Sequence, residues 1–416
     1  MADRTSTDAG PTVRLLGPDD HLDAARLVGT TMLGRDDRVV DQAWVDRWGG
    51  RTTHGAITAD GRLAGVAQWF PSQVSLAGPA LPAACVTAVA VEATQRRRGH
   101  LRRMMEAQLA SVAEAEVPVA LLVAAEWGIY GRYGYGPAVE ACRYEIDTRS
   151  ADFVAPPKGT VELVGRETVR PHLEAVHDRR WSRTLGAVTR EAWVWDHLCG
   201  LAPIPHEKTD PTLRRHALWR DEAGVVQGAV VYAVEERWTR NRPDGTATVT
   251  LLVGSTPEAE RELWRHLCEV DWITTVSAGD RAVDDPLPHH LTDGRAAVSL
   301  DRFDCIWARI LDVPRFFEAR RSPLPGQVVV EVVDDLGHAG GRWRLELGPD
   351  GAAVSATSAS VDVTLPAATL GALAFGGTSA HRMAHAGWLE EGEPGGVDRL
   401  ETLLRASPAP WSPTTY

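Results

Sequence analysis

The sequence predicts a protein of mixed α/β (α+β) class that is built from three consecutive units. Apolar runs of strand length alternate with amphipathic stretches of helical length along most of the 416 residues. The stretch Pro156–Gly159 is typical of a linker and separates the first unit from the second. Near Val298 a group of strands begins that is followed by two helices. A chain of this length is expected to form two or three domains.

The first unit, residues 12–150, alternates strands with two helices. Its predicted strands are residues 13–16, 54–58, 63–70, 72–76, 84–91, 117–125 and 139–146. Asp60 and Gly61 predict a tight hairpin turn between the second and third strands. The run at 117–125 is apolar almost throughout, which is typical of a strand buried on both faces. One helix is capped by Asp19 or Asp20 and ends near residue 33, and the other covers residues 101–115.

The second unit, residues 151–295, repeats this order of strands and helices but has no basic glycine loop. Its predicted helices are residues 168–181, 190–198 and 257–270, and its strands are residues 215–219, 225–234 and 247–253. The stretch Arg240–Gly245 predicts an exposed hairpin tip. The repetition favours a duplicated fold whose second copy has lost its cofactor site.

The third unit, residues 296–416, ends in a proline-rich tail. Its predicted strands are residues 306–311, 327–333, 341–347 and 352–355, and its helices are residues 365–375 and 396–404. Chain ends are commonly disordered. The prolines and Trp411 within Ser407–Tyr416 instead favour a stiff tail that is docked on the protein.

Composition excludes several classes of protein. The net charge of −12 argues against a nucleic-acid partner and is compatible with a cationic substrate. No apolar run reaches the roughly 20 residues that a membrane helix needs, and residues 1–11 are polar, so we expect a disordered tail there and no signal peptide. The five cysteines are scattered, which predicts a reducing, cytoplasmic environment and no metal site.

The stretch from Val86 to Leu101 is the strongest functional signal. An apolar strand, Val86–Val91, leads into the basic turn Arg96–Gly99, and a helix follows. The first N–H groups of a helix are unpaired and bind phosphates well. The stretch contains neither Gly-x-Gly-x-x-Gly nor Gly-Lys-Ser/Thr. A solvated basic patch is the alternative, but a patch does not need a buried strand before it.

Three motifs together resemble the Eis (enhanced intracellular survival) family of GCN5-related N-acetyltransferases (GNAT). They are Val89–Val91 followed by Arg96–Arg102, the tyrosine-glycine segment Ala125–Pro137, and Asp304–Pro314. The resemblance covers residues 12–416 and implies tandem GNAT-like domains followed by a sterol-carrier-protein-like α+β domain. It also implies acetyl-CoA as co-substrate and assembly as a homohexamer.

The resemblance implies where acetyl-CoA binds. Strand backbone groups would hold the pantetheine arm, the basic turn would hold the pyrophosphate, and two residues after the apolar strand would border the thioester. The residues that match these positions are Val89, Ala90, Val91, Arg97, Arg98, Gly99, His100, Leu101, Arg102, Ala125 and Glu126.

The resemblance also assigns the acid and the base. Tyr130 matches the proton donor, and a phenol with a pKa of roughly 10 is protonated at neutral pH. From the residues alone, Tyr133 and Tyr135 are nearly equal candidates, and packing is the alternative role for all three. Tyr416 would act through its C-terminal carboxylate, which is ionised at neutral pH and suits a cationic amine.

The acceptor pocket is where this sequence departs from better-known family members. Asp304 matches an acidic position that contacts cationic substrates, and the candidate wall residues, for which packing is the alternative role, are Trp44, Trp193 and Trp195. Ala88, Val123 and Thr415 replace aromatic, histidine and acidic residues, which puts aminoglycoside recognition in doubt. We expect N-acetylation of an aminoglycoside-like or lysine-like amine. The alternatives are transfer of a longer acyl group and a non-catalytic protein that binds an apolar ligand.

Overall fold

The computed structural model describes residues 12–32, 45–46, 50–202 and 210–416. The predicted disordered tail, residues 1–11, and the candidate wall residue Trp44 lie outside the described residues. In the part of the chain that is described, no helix is both long and apolar enough to cross a membrane.

The first unit contains six strands and three helices within the described ranges. They are β1 (Thr12–Leu15), α1 (His21–Thr31), β2 (Thr52–Ile57), β3 (Leu63–Ser75), β4 (Ala80–Val91), α2 (His100–Glu114), β5 (Val119–Leu122), α3 (Trp127–Tyr130) and β6 (Gly136–Asp147). The predicted order of strands and helices is confirmed except for the short helix α3, which the sequence did not predict. Residues 63–70 and 72–76, predicted as two strands, form the single strand β3, because β3 pairs with β4 without a break across Pro71.

The second unit follows the linker. Its elements are β7 (Thr160–Val164), α4 (Arg166–Trp181), α5 (Ala192–Leu198), β8 (Arg215–Arg220), β9 (Val226–Glu235), β10 (Trp238–Thr239), β11 (Arg242–Pro243), β12 (Gly245–Gly254), α6 (Pro257–Cys268), β13 (Ile273–Ala282) and α7 (Leu287–His290). The predicted hairpin tip is the turn between β10 and β11, where Arg240 and Asn241 both have positive φ. Strands β7 and β13 were not predicted, because β7 is largely exposed and β13 carries several polar residues.

The third part of the chain begins with a long strand and ends in a small sheet with helices. Its elements are β14 (Ala297–Ile310), α8 (Val313–Glu318), β15 (Gly326–Val333), β16 (Gly341–Leu347), β17 (Ala352–Ala356), β18 (Val363–Pro366), α9 (Ala367–Leu373), α10 (Ala380–His385), β19 (Glu390–Glu391) and α11 (Gly396–Leu404). The helix predicted to begin at residue 365 begins at Ala367, because residues 363–366 pair with β15 as a strand.

One twelve-stranded sheet runs through the first two units and includes β14. Its strand order is β1-β2-β3-β4-β5-β14-β6-β13-β12-β9-β8-β7. Strand β14 pairs antiparallel with β5 through Trp307–Ile310 and with β6 along most of its length. The strand therefore occupies the gap between β5 and β6, and β13 joins the sheets of the two units by pairing with β6.

The third unit rests on this sheet through backbone contacts that leave no room for a side chain. A Cβ built on Gly136 of β6 would lie 1.9 Å from the carbonyl oxygen of Ala368 in α9. A Cβ on Gly371 of α9 would lie 2.1 Å from the carbonyl oxygen of Ala308 in β14. Glycine at these two positions lets α9 lie directly against β6 and β14.

The interior of the third unit is filled by its own aromatic side chains. Phe316 packs edge-on against Phe317 at 5.1 Å and against Phe375 at 5.5 Å between ring centroids. These rings belong to a core that continues into the sheet of the first unit through Phe70 and Leu121. The third unit and the first unit thus share one apolar core.

We predict that Gly136→Ala destabilises the protein by about 1–3 kcal/mol, because the new methyl group has to displace the backbone of α9. Urea unfolding followed by circular dichroism measures this change. Gly128→Ala in α3 is the matched control, since no atom lies within 4 Å of its added Cβ. Equal stability of the two variants would contradict the close approach of α9.

Candidate active site

A cleft opens where β4 and β5 separate. The two strands pair in parallel from Ala83 with Val119 to Val86 with Leu122, and the pairing ends there. Strand β4 continues to Val91, so its last residues have β3 on one side and no described strand on the other. Unpaired backbone N–H and C=O groups along this edge can hydrogen-bond an extended ligand.

A β-bulge turns the backbone at the mouth of this cleft. Ala90 pairs with Val66 and Thr87 with Gln68, so two residues of β4, Ala88 and Val89, stand opposite one residue of β3. Ala88 has a φ of 51°. Bulges of this kind redirect a strand next to functional sites. Of the predicted pantetheine-binding residues, Val89 lies in the bulge, and Ala90 and Val91 follow it directly.

The basic turn leads directly into α2. Arg97 and Gly99 both have positive φ, 64° and 83°. The helix begins at His100, and no side chain caps its N-terminus. A Cβ on Gly99 would have no neighbour within 4 Å. The first N–H groups of α2, including that of Leu101, are therefore available to an anion at an open surface.

The arginines of the turn differ in their surroundings. Arg97 and Arg98 are exposed, and no carboxylate of the described residues pairs with either of them. Arg102 forms an ion pair with Glu106 at 2.7 Å. The His100 side chain is buried, and burial lowers the pKa of its imidazole. Arg97 and Arg98 thus provide uncompensated positive charge, whereas His100 can contribute only through its backbone.

Tyr130 ends the short helix α3 beside the cleft. Its ring is 8% exposed and packs edge-on against Tyr135, with centroids 6.2 Å apart. Burial, with the nearby Tyr133 and Glu126, raises the pKa of the Tyr130 phenol to about 12. Ala125 and Glu126, predicted to border the thioester, are exposed just before α3. A phenol with this pKa is protonated at neutral pH and can donate a proton.

The C-terminal tail is docked on the second unit, as predicted. The Trp411 side chain is 3% exposed, its backbone N–H donates to the Leu185 carbonyl at 2.9 Å, and its indole donates to the Asp280 carbonyl at 2.6 Å. The Thr414 hydroxyl donates to the Val188 carbonyl at 3.2 Å. The segment that receives these bonds is itself paired with β3, since Ser75 donates to the Ala187 carbonyl.

The docked tail brings Tyr416 to the sheet below the cleft. Its ring packs edge-on against Phe70, with centroids 5.8 Å apart. The phenol is buried beside the Cys85 thiol, and burial raises its pKa well above the usual range. Tyr135 also lies close enough to influence that pKa. Tyr135 packs against Tyr130 as well, so one tyrosine neighbours both predicted catalytic tyrosines.

Two tryptophans that the sequence did not single out line this region together with Asp304. The Trp307 indole donates a hydrogen bond of 2.5 Å to the Asp304 carboxylate. Trp127, which is 62% exposed, packs edge-on against Trp307 with centroids 5.0 Å apart. Both tryptophans lie within the quoted motifs, so position in a motif was the signal that could have identified them.

An ion pair that sequence reasoning missed lies next to Tyr416. Arg51 pairs with Glu191 at 2.6 Å, and its guanidinium lies 4.7 Å from the centroid of the Phe70 ring. The two residues belong to different units, and no local sequence pattern signals such a long-range contact. This pair ties the second unit to the face of the sheet where the tail ends.

The other candidate wall residues, Trp193 and Trp195, lie on α5. Trp195 is 2% exposed and packs against His177 and Arg190 in the core of the second unit. Trp195 is therefore a packing residue. Trp193 is half-buried on the same helix.

Comparisons with known protein families identify all three units. Residues 12–138 and residues 186–314 each match an acetyltransferase (GNAT) domain. Residues 313–413 match a sterol carrier protein domain. The chain thus contains two tandem GNAT domains followed by a sterol-carrier-like domain.

A relative from Mycobacterium tuberculosis shows to which family the chain belongs. The N-acetyltransferase Eis of that organism is 32% identical over 355 residues, which cover 82% of this chain and 83% of that protein. The chain belongs to the Eis family. A solved structure of Eis1 from Mycobacterium abscessus resembles this Eis-family fold with a TM-score of 0.84 and 28% identity, covering 97% of this chain and 100% of that one.

Another Eis-family relative is found in Streptomyces avermitilis. It is named an uncharacterized N-acetyltransferase and is 40% identical over 367 residues, covering 86% of this chain and 87% of that protein. The two GNAT domains and these relatives make the present Eis-family protein an N-acetyltransferase. GNAT enzymes use acetyl-CoA as the acetyl donor.

We predict that Arg97→Ala and Arg98→Ala each raise KM for acetyl-CoA about ten-fold, because each removes an uncompensated charge from the turn. Steady-state kinetics with varied acetyl-CoA measure this effect. Arg102→Ala is the comparison, and we expect a smaller change since Glu106 already pairs with that guanidinium. An unchanged KM in both the Arg97 and Arg98 variants would contradict binding at this turn.

Proposed function

We propose that this protein transfers the acetyl group of acetyl-CoA to a primary amine of a cationic small molecule, using Tyr130 as acid and the C-terminal carboxylate of Tyr416 as base. The observation that supports the proposal is the docked tail, whose last residue packs its ring against Phe70 and has Tyr135 as a neighbour. A chain end that had no role would not need a buried tryptophan and several hydrogen bonds to hold it.

The residues of the cleft suit acetyl-CoA. Arg97, Arg98 and the N-terminus of α2 offer positive charge and N–H groups for the pyrophosphate. The open edge of β4 after the bulge at Ala88 offers backbone groups for the amides of the pantetheine arm. Acetyl-CoA supplies the activated thioester, and the chain supplies its orientation and the proton transfers.

In the proposed step, one group of the chain accepts a proton and another supplies one. The amine nitrogen forms a bond to the thioester carbon, and the carbon–sulfur bond breaks. The proton that the amine loses goes to the Tyr416 carboxylate, directly or through water. The thiolate that leaves takes the proton of the Tyr130 phenol, which its raised pKa keeps in place until then.

The charge around the cleft supports a cationic acceptor. Glu126 precedes α3, Asp304 accepts the Trp307 indole on β14, and the whole chain carries a net charge of −12. Trp127 is exposed and packs on the buried Trp307, whose indole holds Asp304, so Trp127 offers an aromatic face that suits a protonated amine. Ala88 and Val123 are small and do not by themselves define the acceptor or the length of the acyl chain. Screening amines and acyl-CoA donors determines both.

We predict that removing Tyr416, or adding one glycine after it, lowers kcat by about 10²-fold or more, because either change moves the carboxylate that acts as base. Release of free CoA thiol with a responsive amine measures turnover. Tyr416→Phe retains the carboxylate and removes only the buried phenol, so we expect a much smaller loss. Equal losses in the three variants would show that the tail has a structural role alone.

We predict a similar loss of kcat for Tyr130→Phe, with Tyr133→Phe as the matched control within the same motif. The pH profile tests the acid separately. The pKa of Tyr130 is raised to about 12, so the acid form persists as pH rises, whereas an unperturbed tyrosine would lose its proton near pH 10. We therefore expect kcat at saturating substrates not to decline up to about pH 10. A decline centred below about pH 9 would exclude Tyr130 as the acid.

A further inference from the structure

A cavity lined by both apolar and charged side chains lies between the second unit, the third unit and the C-terminal tail. Its volume is about 290 Å³. The tail contributes Ser407–Ala409 and Trp411 to its lining. The five cationic side chains that line it are Arg180, Arg183, Arg281, Arg320 and Arg405.

The charges in this cavity do not balance. Against five arginines the lining holds three carboxylates, Glu260, Asp284 and Asp285, which leaves a surplus of two positive charges. The carboxylates already have partners: Arg281 pairs with Asp285 at 2.6 Å and with Glu260 at 3.4 Å. Asp284 accepts the backbone N–H of Ala409 at 2.6 Å. Among the described residues, Arg183 and Arg320 therefore have no carboxylate partner, and Arg405 has only Glu401, which lies outside the lining at 4.0 Å.

Among the five arginines of the cavity, Arg320 gives the strongest indication of a bound anion. Its side chain is 5% exposed, and its guanidinium donates only to backbone carbonyls, those of Leu404 at 3.0 Å and Arg321 at 3.4 Å. Its buried Nε has no hydrogen-bond partner. A buried cation without a counter-charge is costly. A negatively charged ligand in the cavity would supply both the missing acceptor and the missing charge.

We propose that this cavity binds a small oxyanion with about two negative charges, a phosphate ester or a dicarboxylate, between Arg320, Arg183 and Arg405. Guanidinium groups bind both kinds of oxyanion through paired hydrogen bonds. With roughly 30 Å³ for each water-sized group, the volume of about 290 Å³ accommodates a ligand of about ten heavy atoms.

The position of the cavity connects the ligand to the tail. Residues 406–409 and Trp411 form one wall, and Arg320 and Arg405 hold the carbonyls of Leu404 and Gly377 where the tail leaves α11. A bound anion would hold the second unit, the third unit and the tail together. An influence of the bound anion on turnover rests on the proposed function of Tyr416. Binding of the anion to the cavity does not.

Isothermal titration calorimetry on the full-length protein tests the binding. Inorganic phosphate, glycerol 3-phosphate and malonate are titrated separately, with saturating CoA present so that the basic turn before α2 is occupied. We expect one site per chain and at least about ten-fold weaker binding in Arg183→Gln and Arg405→Gln, whose exposed side chains make folding defects unimportant. Arg382→Gln, an exposed arginine outside the cavity, is the matched control.

Hydrogen exchange locates the site independently of activity. The ligand that binds should slow exchange of the Ala409 and Trp411 amides, and this protection should be lost in Arg320→Gln if that variant folds. Binding of the phosphate probes alone identifies the ligand as a phosphate. Binding of malonate alone identifies it as a dicarboxylate. No binding by any probe, equal binding in the Arg183 and Arg405 variants, or protection confined to residues 96–102 would overturn the proposal.

Discussion

The insertion of β14 between β5 and β6 is the constraint on which the rest of the structure depends. In a parallel pair such as β4 and β5, hydrogen bonds continue as long as the strands stay adjacent. Here β5 ends at Leu122 and pairs with β14 along its other edge, whereas β4 continues to Val91. The cleft is the space left by this divergence. Asp304 and Trp307 belong to β14, and Trp307 pairs with Leu122 at the point where β5 ends.

The same strand makes the three units inseparable. Strand β14 gives hydrogen bonds to the first unit, α9 packs against it through Gly371, and the tail returns to the second unit at Trp411. Each unit is thus paired with or packed against another unit. The Arg51–Glu191 pair and the shared core around Phe70 add contacts of the same kind. Function at the cleft therefore depends on residues from all three units.

Local features could be read from the sequence, and contacts between units could not. Strand β4, the basic turn and α2 are signalled by a few consecutive residues, and the structure has them as predicted. The place of β14 in the sheet depends on pairing with residues more than 150 positions away, which no local pattern encodes. Tryptophans illustrate the same limit: Trp195 and Trp127 are chemically alike, yet one lies in a core and the other at the cleft.

The docking of the last six residues has a consequence for biosynthesis. A terminal carboxylate exists only after the ribosome has hydrolysed the final ester bond and released the chain, so the proposed base is absent from every nascent chain, even one whose GNAT domains have folded. An incomplete chain, a read-through product or a chain trimmed by a carboxypeptidase would carry its carboxylate elsewhere. On the proposed mechanism, only molecules that end at Tyr416 would carry the base in the docked position.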